Sequence, residues 1–358
     1  MKKLVFYLYI GVTFTQCQQF KPFDSKPYLT VTASPTNSIY INWNTKTQES
    51  TIVAFGLTPL LEDTLKIAGV HNFHHIKLTH LLPSAEYYYK VLPGGDIKTF
   101  KTFSAQADSF SFIVFGDTRT DSAAHQSVIN RMADYKFEFI LHSGDLIHHG
   151  SSADEWITFF NIEDTLLQTK HFMPTIGNHD KPYWPYDTLF ALPDPEAYYS
   201  VNYGNAHFIM LNTEMDLCGS QRDWLINDLT TTRNDTLIDW IFVNLHRPPY
   251  TSGLYDCAFN VQENWCPLFQ EYGVDIVFAG HDHTYERTLK IGGIVYIVTG
   301  GGGAPLYDVG KSEWTAYSEK TYHFCLVQIM GERLLLKAIK PDNTVFDSLI
   351  LDKESNLN

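Results

Sequence analysis

The segment around Asp145 has the residue types of a metal site. Asp145 is followed three and four residues later by His148 and His149, and a carboxylate combined with imidazoles is a common metal-ligand set. The apolar run before it predicts a buried strand over residues 138–142. Asp145 then stands at the carboxyl end of that strand, where open α/β sheets bind ligands. By itself, the segment fits a turn after Gly144 and a solvated loop equally well.

The same arrangement recurs at the ends of four more predicted strands, usually after a glycine that lets the backbone turn. Because the carboxyl ends of parallel strands meet at one edge of a sheet, these side chains should converge. Two divalent or trivalent cations fit the set, and Asp145 can bridge ions about 3.5–4 Å apart. The five segments are Gly116-Asp117-Thr118-Arg119, Gly144-Asp145, Gly177-Asn178-His179-Asp180, His246-Arg247 and Gly280-His281-Asp282-His283.

The order of these segments, GD…GDxxxxG…GNHD…H…GHxH, resembles that of calcineurin-like metallophosphoesterases. With the β-rich region in front, the chain is similar to purple acid phosphatases over about residues 25–352. The resemblance implies a two-sheet α/β sandwich and two metal ions, drawn from Fe, Zn or Mn. It also implies two ligand sets: Asp117, Asp145 and His283 for the first metal, and Asp145, Asn178, His246 and His281 for the second.

One position departs from the purple acid phosphatase pattern. That family carries a Tyr three residues after the bridging Asp, where this chain has His148. Other metallophosphoesterases supply a His two residues after the first Asp, where this chain has Arg119, which cannot bind a metal. We therefore expect His148 to be the missing ligand of the first metal, with His149 or a water as alternatives. Without the phenolate a ferric site is less assured, and Fe–Zn, Fe–Mn, Mn–Mn and Zn–Zn centres stay open.

The resemblance implies phosphate-ester hydrolysis, as in a phosphomonoesterase or acid phosphatase, by attack of a metal-bound hydroxide. His179 is placed to touch the leaving oxygen or the phosphate, and Asp180 to orient His179. Arg119 is expected to bind a phosphate oxygen, with a salt bridge inside its loop as the alternative. A phosphodiesterase or nucleotide hydrolase would use the same site. A surface-binding lipoprotein with a degenerate phosphatase domain is a different class of function, and the complete ligand set argues against it.

Composition and pattern indicate two domains. The chain has 358 residues, 44% of them hydrophobic, and a net charge of −14 without a basic run, which excludes a disordered chain and argues against a nucleic-acid groove. Short alternating strands predict a β-sandwich over residues 25–104, and Trp43 and the L-x-P-x-x-x-Y segment resemble a fibronectin type III module. Alternating strands and helices, including helices over 122–135 and 153–167, predict the metallophosphoesterase domain over 108–352.

Two further expectations concern the N-terminal region, one for a tether and one for its histidines. Residues 18–27 are polar and contain proline, which is typical of a tether, and His71, His74 and His75 are expected at the surface.

The N-terminus has a targeting pattern. Lys2 and Lys3, an apolar run over 4–13 and then Cys17 resemble a bacterial lipoprotein signal over residues 1–17, although Gln16 leaves ordinary signal cleavage open. We expect an exported protein, periplasmic or on the surface and otherwise secreted, that touches the membrane only through a lipid on Cys17. Its partner is expected to be a small phosphate-ester substrate.

Export also permits disulfides. Cys257–Cys266 and Cys218–Cys257 are the candidate pairs, and Cys325 is expected to be a buried free thiol.

Overall fold

The computed structural model describes residues 20–353. Strands and helices alternate through the larger part of this region. The strands are β1 (Tyr28–Thr30), β2 (Ile39–Gly56), β3 (Asp63–Leu78), β4 (Glu86–Leu92), β5 (Lys98–Lys101), β6 (Ser109–Phe115), β7 (Phe139–His142), β8 (His171–Pro174), β9 (Tyr199–Tyr203), β10 (Ala206–Met210), β11 (Trp240–Leu245), β12 (Ile276–Ala279), β13 (Tyr285–Thr288), β14 (Val295–Thr299), β15 (Thr315–Glu319), β16 (Phe324–Met330), β17 (Arg333–Ile339) and β18 (Val345–Asp352). The helices are α1 (Ser122–Met132), α2 (Ala153–Leu167), α3 (Trp184–Leu189), α4 (Ser220–Arg233), α5 (Phe259–Asn264) and α6 (Cys266–Tyr272). None of the helices in this part of the chain is long and apolar enough to cross a membrane.

Two sheets form the body of the molecule and confirm the predicted fold class. One runs β18-β17-β16-β6-β7-β8-β1-β2-β4-β5, with β3 paired to β2, and the other runs β15-β13-β14-β12-β11-β10-β9. Phenylalanines fill the space between them: the ring of Phe112 lies 5.3 Å from Phe139 on its own sheet, and 5.0 Å from Phe208 and 5.3 Å from Phe242 on the other. Aromatic rings of this size supply much of the buried area that holds the sheets together.

Parallel pairing brings the ends of the ligand-bearing strands to one edge. Strands β6, β7 and β8 are parallel neighbours in the first sheet, and β11 and β12 are parallel neighbours in the second. Their carboxyl ends therefore face the same rim of the sandwich, which is the geometry that the strand-end pattern predicts.

The N-terminal strands have a core of their own but share a sheet with the larger unit. Their core packs Trp43, Tyr89 and Phe100 among aliphatic residues. Strand β1 pairs with β2 on one side and, in parallel, with β8 on the other, through Leu29↔His171 and Thr30↔Phe172. The N-terminal unit is thus joined to the larger one by backbone hydrogen bonds as well as by the chain.

The expectation of a tether is wrong from Phe20 onward. Phe20 and Phe23 are buried in the main core, and the ring of Tyr28 lies 4.5 Å from Phe160. The Tyr28 hydroxyl also donates to the carbonyl of Leu189 at 2.5 Å. Aromatic residues spaced among polar ones anchor this segment, so its polar composition is misleading. The predicted signal segment, residues 1–17, lies outside the described residues.

The expectation of surface histidines is also wrong for His74. The pairing of β2 with β3 sets His74 directly across from Trp43, and the two rings stack at 4.6 Å with an interplanar angle of 1°. Both ring nitrogens of His74 bond to threonine hydroxyls, Thr51 at 2.7 Å and Thr45 at 2.9 Å. His75 is half-buried, and its Nε2 bonds to the carbonyl of Thr188 at 3.0 Å.

The cysteines of the described region are free thiols. Neither candidate disulfide forms among Cys218, Cys257 and Cys266. Cys325 is a buried free thiol, as expected.

Candidate metal centre

The structure brings the predicted ligands together at the rim where the parallel strands end. Asp117 follows β6 and Asp145 follows β7 in the first sheet, while His246 follows β11 in the second. Asn178 comes shortly after β8, and His281 and His283 shortly after β12. The five segments that are far apart in sequence therefore deliver their side chains to one place.

The backbone at this rim adopts conformations that L-residues rarely use. Asp117, Asp145 and His281 have φ values of 58°, 54° and 70°. A non-glycine residue in the left-handed region costs on the order of 1–3 kcal/mol and persists where the surroundings enforce it. Three such residues among the six strand-end ligands indicate that the turns aim side chains at a common point.

Two glycines let the turns approach that closely. A Cβ on Gly177 would lie 2.2 Å from the backbone nitrogen of Asp145, and a Cβ on Gly280 would lie 2.4 Å from Oδ2 of Asp117. Any side chain at either position would push the carboxylate out of place.

The first ligand set contains acceptors that face each other. Asp117, Asp145 and His283 offer ligand atoms that lie within 4.8 Å of one another. His283 Nδ1 donates to the carbonyl of Pro305 at 2.8 Å, so its Nε2 presents a lone pair, and Asp117 Oδ1 lies 3.6 Å from that nitrogen. Asp117 Oδ1 is buried and has no hydrogen-bond partner among the described residues. Two acceptors held this way fit a cation between them.

The protonation behaviour of these groups agrees with that conclusion. Burial lowers the pKa of His283 to about 4, so that its imidazole is neutral near pH 7. Burial, and then the neighbouring charge of Asp145, raises the pKa of Asp117 well above its usual range. A metal ion at this point would stabilise the ionised carboxylate.

The second ligand set has the same character. His246 Nδ1 donates to the carbonyl of Ser143 at 2.8 Å, which leaves Nε2 to face Asn178 Oδ1 at 3.0 Å and Asp145 Oδ1 at 3.3 Å. The ring of His281 lies 5.0 Å from that of His246. Burial lowers the pKa of His281 to about 2, which keeps it available as a neutral ligand. These residues would fit a second ion, and Asp145 belongs to both ligand sets.

His148 lies beside the first set without belonging to its tight group of three. Its Nδ1 is 3.2 Å from Nη1 of Arg119, and its ring stacks on that of His179 at 4.6 Å. His149 is exposed on the outer side of His148. Ligation by His148 stays a prediction.

Arg119 is buried inside the first ligand set. Its Nε donates to Asp145 Oδ2 at 3.2 Å, and its Nη2 donates to His283 Nε2 at 3.2 Å. Arg119 therefore forms a salt bridge, but its partner is the carboxylate of Asp145 in the next loop rather than a group in its own loop. With the side chain only 8% exposed, its guanidinium faces the ligands.

Asp180 does not orient His179, contrary to expectation. Its carboxylate is buried and accepts four backbone N–H groups: Gly177 at 2.7 Å, Leu146 at 3.0 Å, Asp145 at 3.1 Å and Ile147 at 3.4 Å. Asp180 therefore fixes the turn that carries Asp145, because orphan N–H groups in such a turn need an acceptor.

His179 is held by different partners. Its backbone N–H donates to Asp145 Oδ1 at 2.9 Å, and its Nδ1 bonds to the carbonyl of His148 at 3.1 Å. The ring is half-buried at the mouth of the site.

Two tyrosines that pack on the ligands, and one aspartate that tethers a loop, were not predicted as site residues from the sequence. Tyr307 stacks on His283 at 4.2 Å, and Tyr255 stacks on His281 at 4.3 Å. Asp282 accepts the hydroxyl of Thr251 at 2.5 Å and the backbone N–H of Tyr255 at 3.1 Å. Asp282 carries a sequence signal, since it stands between two predicted ligands. Tyr307 has none, because its contact depends on how a loop folds back after β14.

The comparisons with known proteins agree with the geometry. Residues 110–285 match the family described as calcineurin-like phosphoesterase. Purple acid phosphatase 21 of Arabidopsis thaliana is 30% identical over 65% of this chain and 58% of its own length. Acid phosphatase type 7 of Danio rerio is 26% identical over 89% of both chains. An uncharacterized protein of Mycobacterium tuberculosis is 26% identical over 62% of this chain, which spans about half (51%) of that relative's length.

Solved structures share the fold. A purple acid phosphatase from yellow lupin (Lupinus luteus) seeds superposes with a TM-score of 0.80 at 21% identity and covers 93% of this chain, which covers 75% of that one. The structure of PhoD superposes with a TM-score of 0.66 at 12% identity, over 92% of this chain and 90% of that one. Residues 110–285 are thus similar to the calcineurin-like phosphoesterases, and the described part of the chain has the fold of the purple acid phosphatases. The domain and its homologues support a phosphoesterase hydrolase.

The role of Asp180 yields a stability prediction. Asp180→Asn replaces one acceptor oxygen by an NH₂ group that faces two backbone N–H donors. We expect a loss of about 2–4 kcal/mol in the free energy of unfolding, measured by urea denaturation, because buried donors without an acceptor cost about 1–3 kcal/mol each. The metal content should fall as well, since the turn that carries Asp145 loosens.

Asp134→Asn is the matched control, because that carboxylate is 61% exposed and pairs with Arg131 at the surface. It should change stability by less than about 1 kcal/mol. Equal losses of unfolding free energy in the two variants would contradict the role of Asp180 as the acceptor for the backbone N–H groups of this turn.

Proposed function

We propose that the protein hydrolyses phosphate esters, as a phosphomonoesterase of the acid phosphatase type, at a centre of two metal ions. The observation that carries this function is the set of buried acceptors that converge here, above all Asp117 Oδ1, which has no hydrogen-bond partner among the described residues and lies 3.6 Å from His283 Nε2. Such a set is unfavourable without a cation. The parallel strand ends and the calcineurin-like domain support the same assignment.

The two ions are assigned to the two ligand sets, bridged by Asp145. The first set is Asp117, Asp145 and His283, completed by His148, and the second is Asp145, Asn178, His246 and His281. When bound, such ions activate a water molecule and neutralise charge on the phosphoryl group. Imidazole, carboxylate and amide ligands suit Fe, Zn and Mn, and the identity of each ion is left open.

His179 is the proposed contact to the leaving-group oxygen. The hydrogen bond that its Nδ1 donates to the carbonyl of His148 fixes the ring, and Nε2 is then the nitrogen that can meet a substrate. Partial burial lowers the pKa of His179 below its ordinary value, so the ring is protonated only in acidic solution. A ring that must be protonated to assist the leaving group would favour turnover at acidic pH, which fits an acid phosphatase.

Two tyrosines at the mouth of the site bear on the class of substrate. Tyr255 and Tyr307 lie over the ligand imidazoles and form an aromatic wall at the mouth of the site. That wall accommodates an aromatic or sugar leaving group, and a small monoester is the proposed substrate. Turnover of an aryl diester faster than of the aryl monoester would assign the protein instead as a phosphodiesterase or nucleotide hydrolase.

The test of the function combines turnover with metal analysis. Metal-stripped protein reloaded with Mn, Zn or Fe should hydrolyse a generic aryl phosphate. Asp145→Asn should abolish this activity and lower the metal content at both sites, because the bridging carboxylate serves both ions. His148→Ala should lose about one metal equivalent and largely keep the second. Asp352→Asn, an exposed carboxylate paired with Arg333, should match the wild type in both measurements.

Full metal occupancy and normal turnover in Asp145→Asn would overturn the bridging role. A His148→Ala variant that keeps both metals and full turnover would remove His148 from the ligand set, and His149 would then be the next residue to test.

The proposed location is the cell envelope, with a lipid on Cys17 as the anchor. The basic start, the apolar run and the cysteine of residues 1–17 support it. Cys17→Ser should move the protein from the membrane fraction to the soluble fraction of cells. A wild-type protein that is already soluble, with a mature N-terminus elsewhere than Cys17, would refute the anchor.

Residues 25–104 are proposed to be a fibronectin type III-like module in front of the phosphoesterase domain at 108–352. The separate core around Trp43 supports this division, although β1 joins the two units. Hydrogen exchange in increasing urea should resolve two unfolding units with a boundary near residue 105. A single unit with one unfolding free energy throughout would contradict the division.

A further inference from the structure

We propose, on the basis of the metal centre proposed above, that Arg119 is a built-in cation that competes with the first metal ion for its ligands. The second ligand set then fills at lower metal concentration than the first. In this account Arg119 holds the first set together until an ion displaces it.

The guanidinium contacts three groups assigned to the first metal. Its Nε lies 3.2 Å from Asp145 Oδ2, its Nη2 lies 3.2 Å from His283 Nε2, and its Nη1 lies 3.2 Å from His148 Nδ1. The three contacts use three different nitrogens of one planar group. A metal bound by the same three atoms would have to stand in the space that the guanidinium fills.

Occupation by Arg119 and by a metal is mutually exclusive at His283. A neutral imidazole has one lone pair, and Nδ1 of His283 already donates its proton to Pro305 at 2.8 Å. The remaining lone pair, on Nε2, accepts from Arg119. Because guanidinium stays protonated and has no acceptor atom, it can neither share that lone pair with a metal nor become a ligand itself.

At the second ligand set, arginine competes less with a metal ion for the ligand atoms. Arg247 Nη1 lies 3.1 Å from His281 Nε2, which is a single contact to a single ligand. Most of the hydrogen bonding of Arg247 goes to Glu214, whose two carboxylate oxygens accept from it at 2.5 and 3.1 Å. The Arg247 side chain is also 34% exposed. Neither Asn178 nor His246 forms a hydrogen bond with an arginine in the part of the chain that the structure describes. An ion therefore displaces fewer charge-assisted hydrogen bonds here than at the first set.

A neighbouring cavity could accommodate the guanidinium of Arg119 after a metal ion displaces it. A cavity of about 280 Å³ opens beside Arg119 and His148, and Glu155 lies in its wall. The Glu155 carboxylate accepts the backbone N–H groups of His148 at 2.7 Å and His149 at 3.0 Å, which holds it in the wall of the same cavity that Arg119 lines. An arginine turned toward this cavity would also leave its charge close to an incoming phosphate.

Calorimetric titration of the metal-stripped full chain with Zn²⁺ tests the competition without any turnover measurement. Wild type should bind one equivalent tightly and a second at least about tenfold more weakly, a difference of about 1.4 kcal/mol. Arg119→Met keeps the stem and removes the cation, so it should tighten the weak equivalent by about tenfold or more. Arg333→Ala removes a surface arginine that pairs with Asp352, and it should leave both affinities unchanged.

Two equivalents of equal affinity in wild type, or an Arg119→Met variant that binds the second ion no more tightly, would overturn the competition while leaving the metal centre in place. Failure of wild type to bind Zn²⁺ at all would overturn the metal centre together with it. Arg119→Ala serves as the second variant if thermal unfolding shows that Arg119→Met is not folded.

A second measurement needs no variant. Phenylglyoxal labels accessible guanidinium groups, and peptide mass spectrometry locates the label. Arg119 should be protected in the stripped protein and become labelled once two equivalents of Zn²⁺ are bound, while labelling of Arg333 stays constant. Unchanged protection of Arg119 on metal loading would contradict its displacement.

Discussion

A cluster of buried acceptors is the constraint on which the rest of this structure depends. Asp117, Asp145, His246 and His283 turn carboxylate oxygens and imidazole nitrogens toward one another at distances of 3.3 to 3.6 Å. Such a group is repulsive in a low-dielectric interior unless positive charge lies inside it. The fold must therefore supply both the force that holds the acceptors together and the cation that makes the arrangement favourable.

The holding force comes from backbone elements rather than from the ligands themselves. Parallel strands from both sheets end at one rim, left-handed turns aim the side chains, and Asp180 gathers four N–H groups beneath the turn of Asp145. The conformational cost of these turns, on the order of 1–3 kcal/mol for each left-handed residue, is offset by the packed aromatic core behind them. Rigidity of this kind keeps metal ligands in place before an ion arrives.

The repeated strand-end pattern was enough to predict the sheet architecture and the convergence of the ligands, because both follow from local periodicity and from the geometry of parallel strands. The helix expected over 153–167 is likewise present as α2. Expectations about Asp180, His74 and the tether were wrong because each depends on a neighbour distant in sequence. Asp180 meets a turn 34 residues away, His74 meets Trp43 across a strand pair, and Phe20 meets the main core. Arg119 stands where other metallophosphoesterases supply a histidine, but the sequence gave no sign of its contacts with Asp145 and His283.

Anomalous X-ray diffraction from metal-loaded crystals tests the central claim most directly. The account predicts a peak bounded by Asp145, Asn178, His246 and His281. At higher metal concentration it predicts a second peak about 3.5–4 Å away, on the side of Asp117 and His283. The absence of any anomalous peak beside Asp145 at saturating Mn²⁺ or Zn²⁺ would contradict a metal centre at this rim.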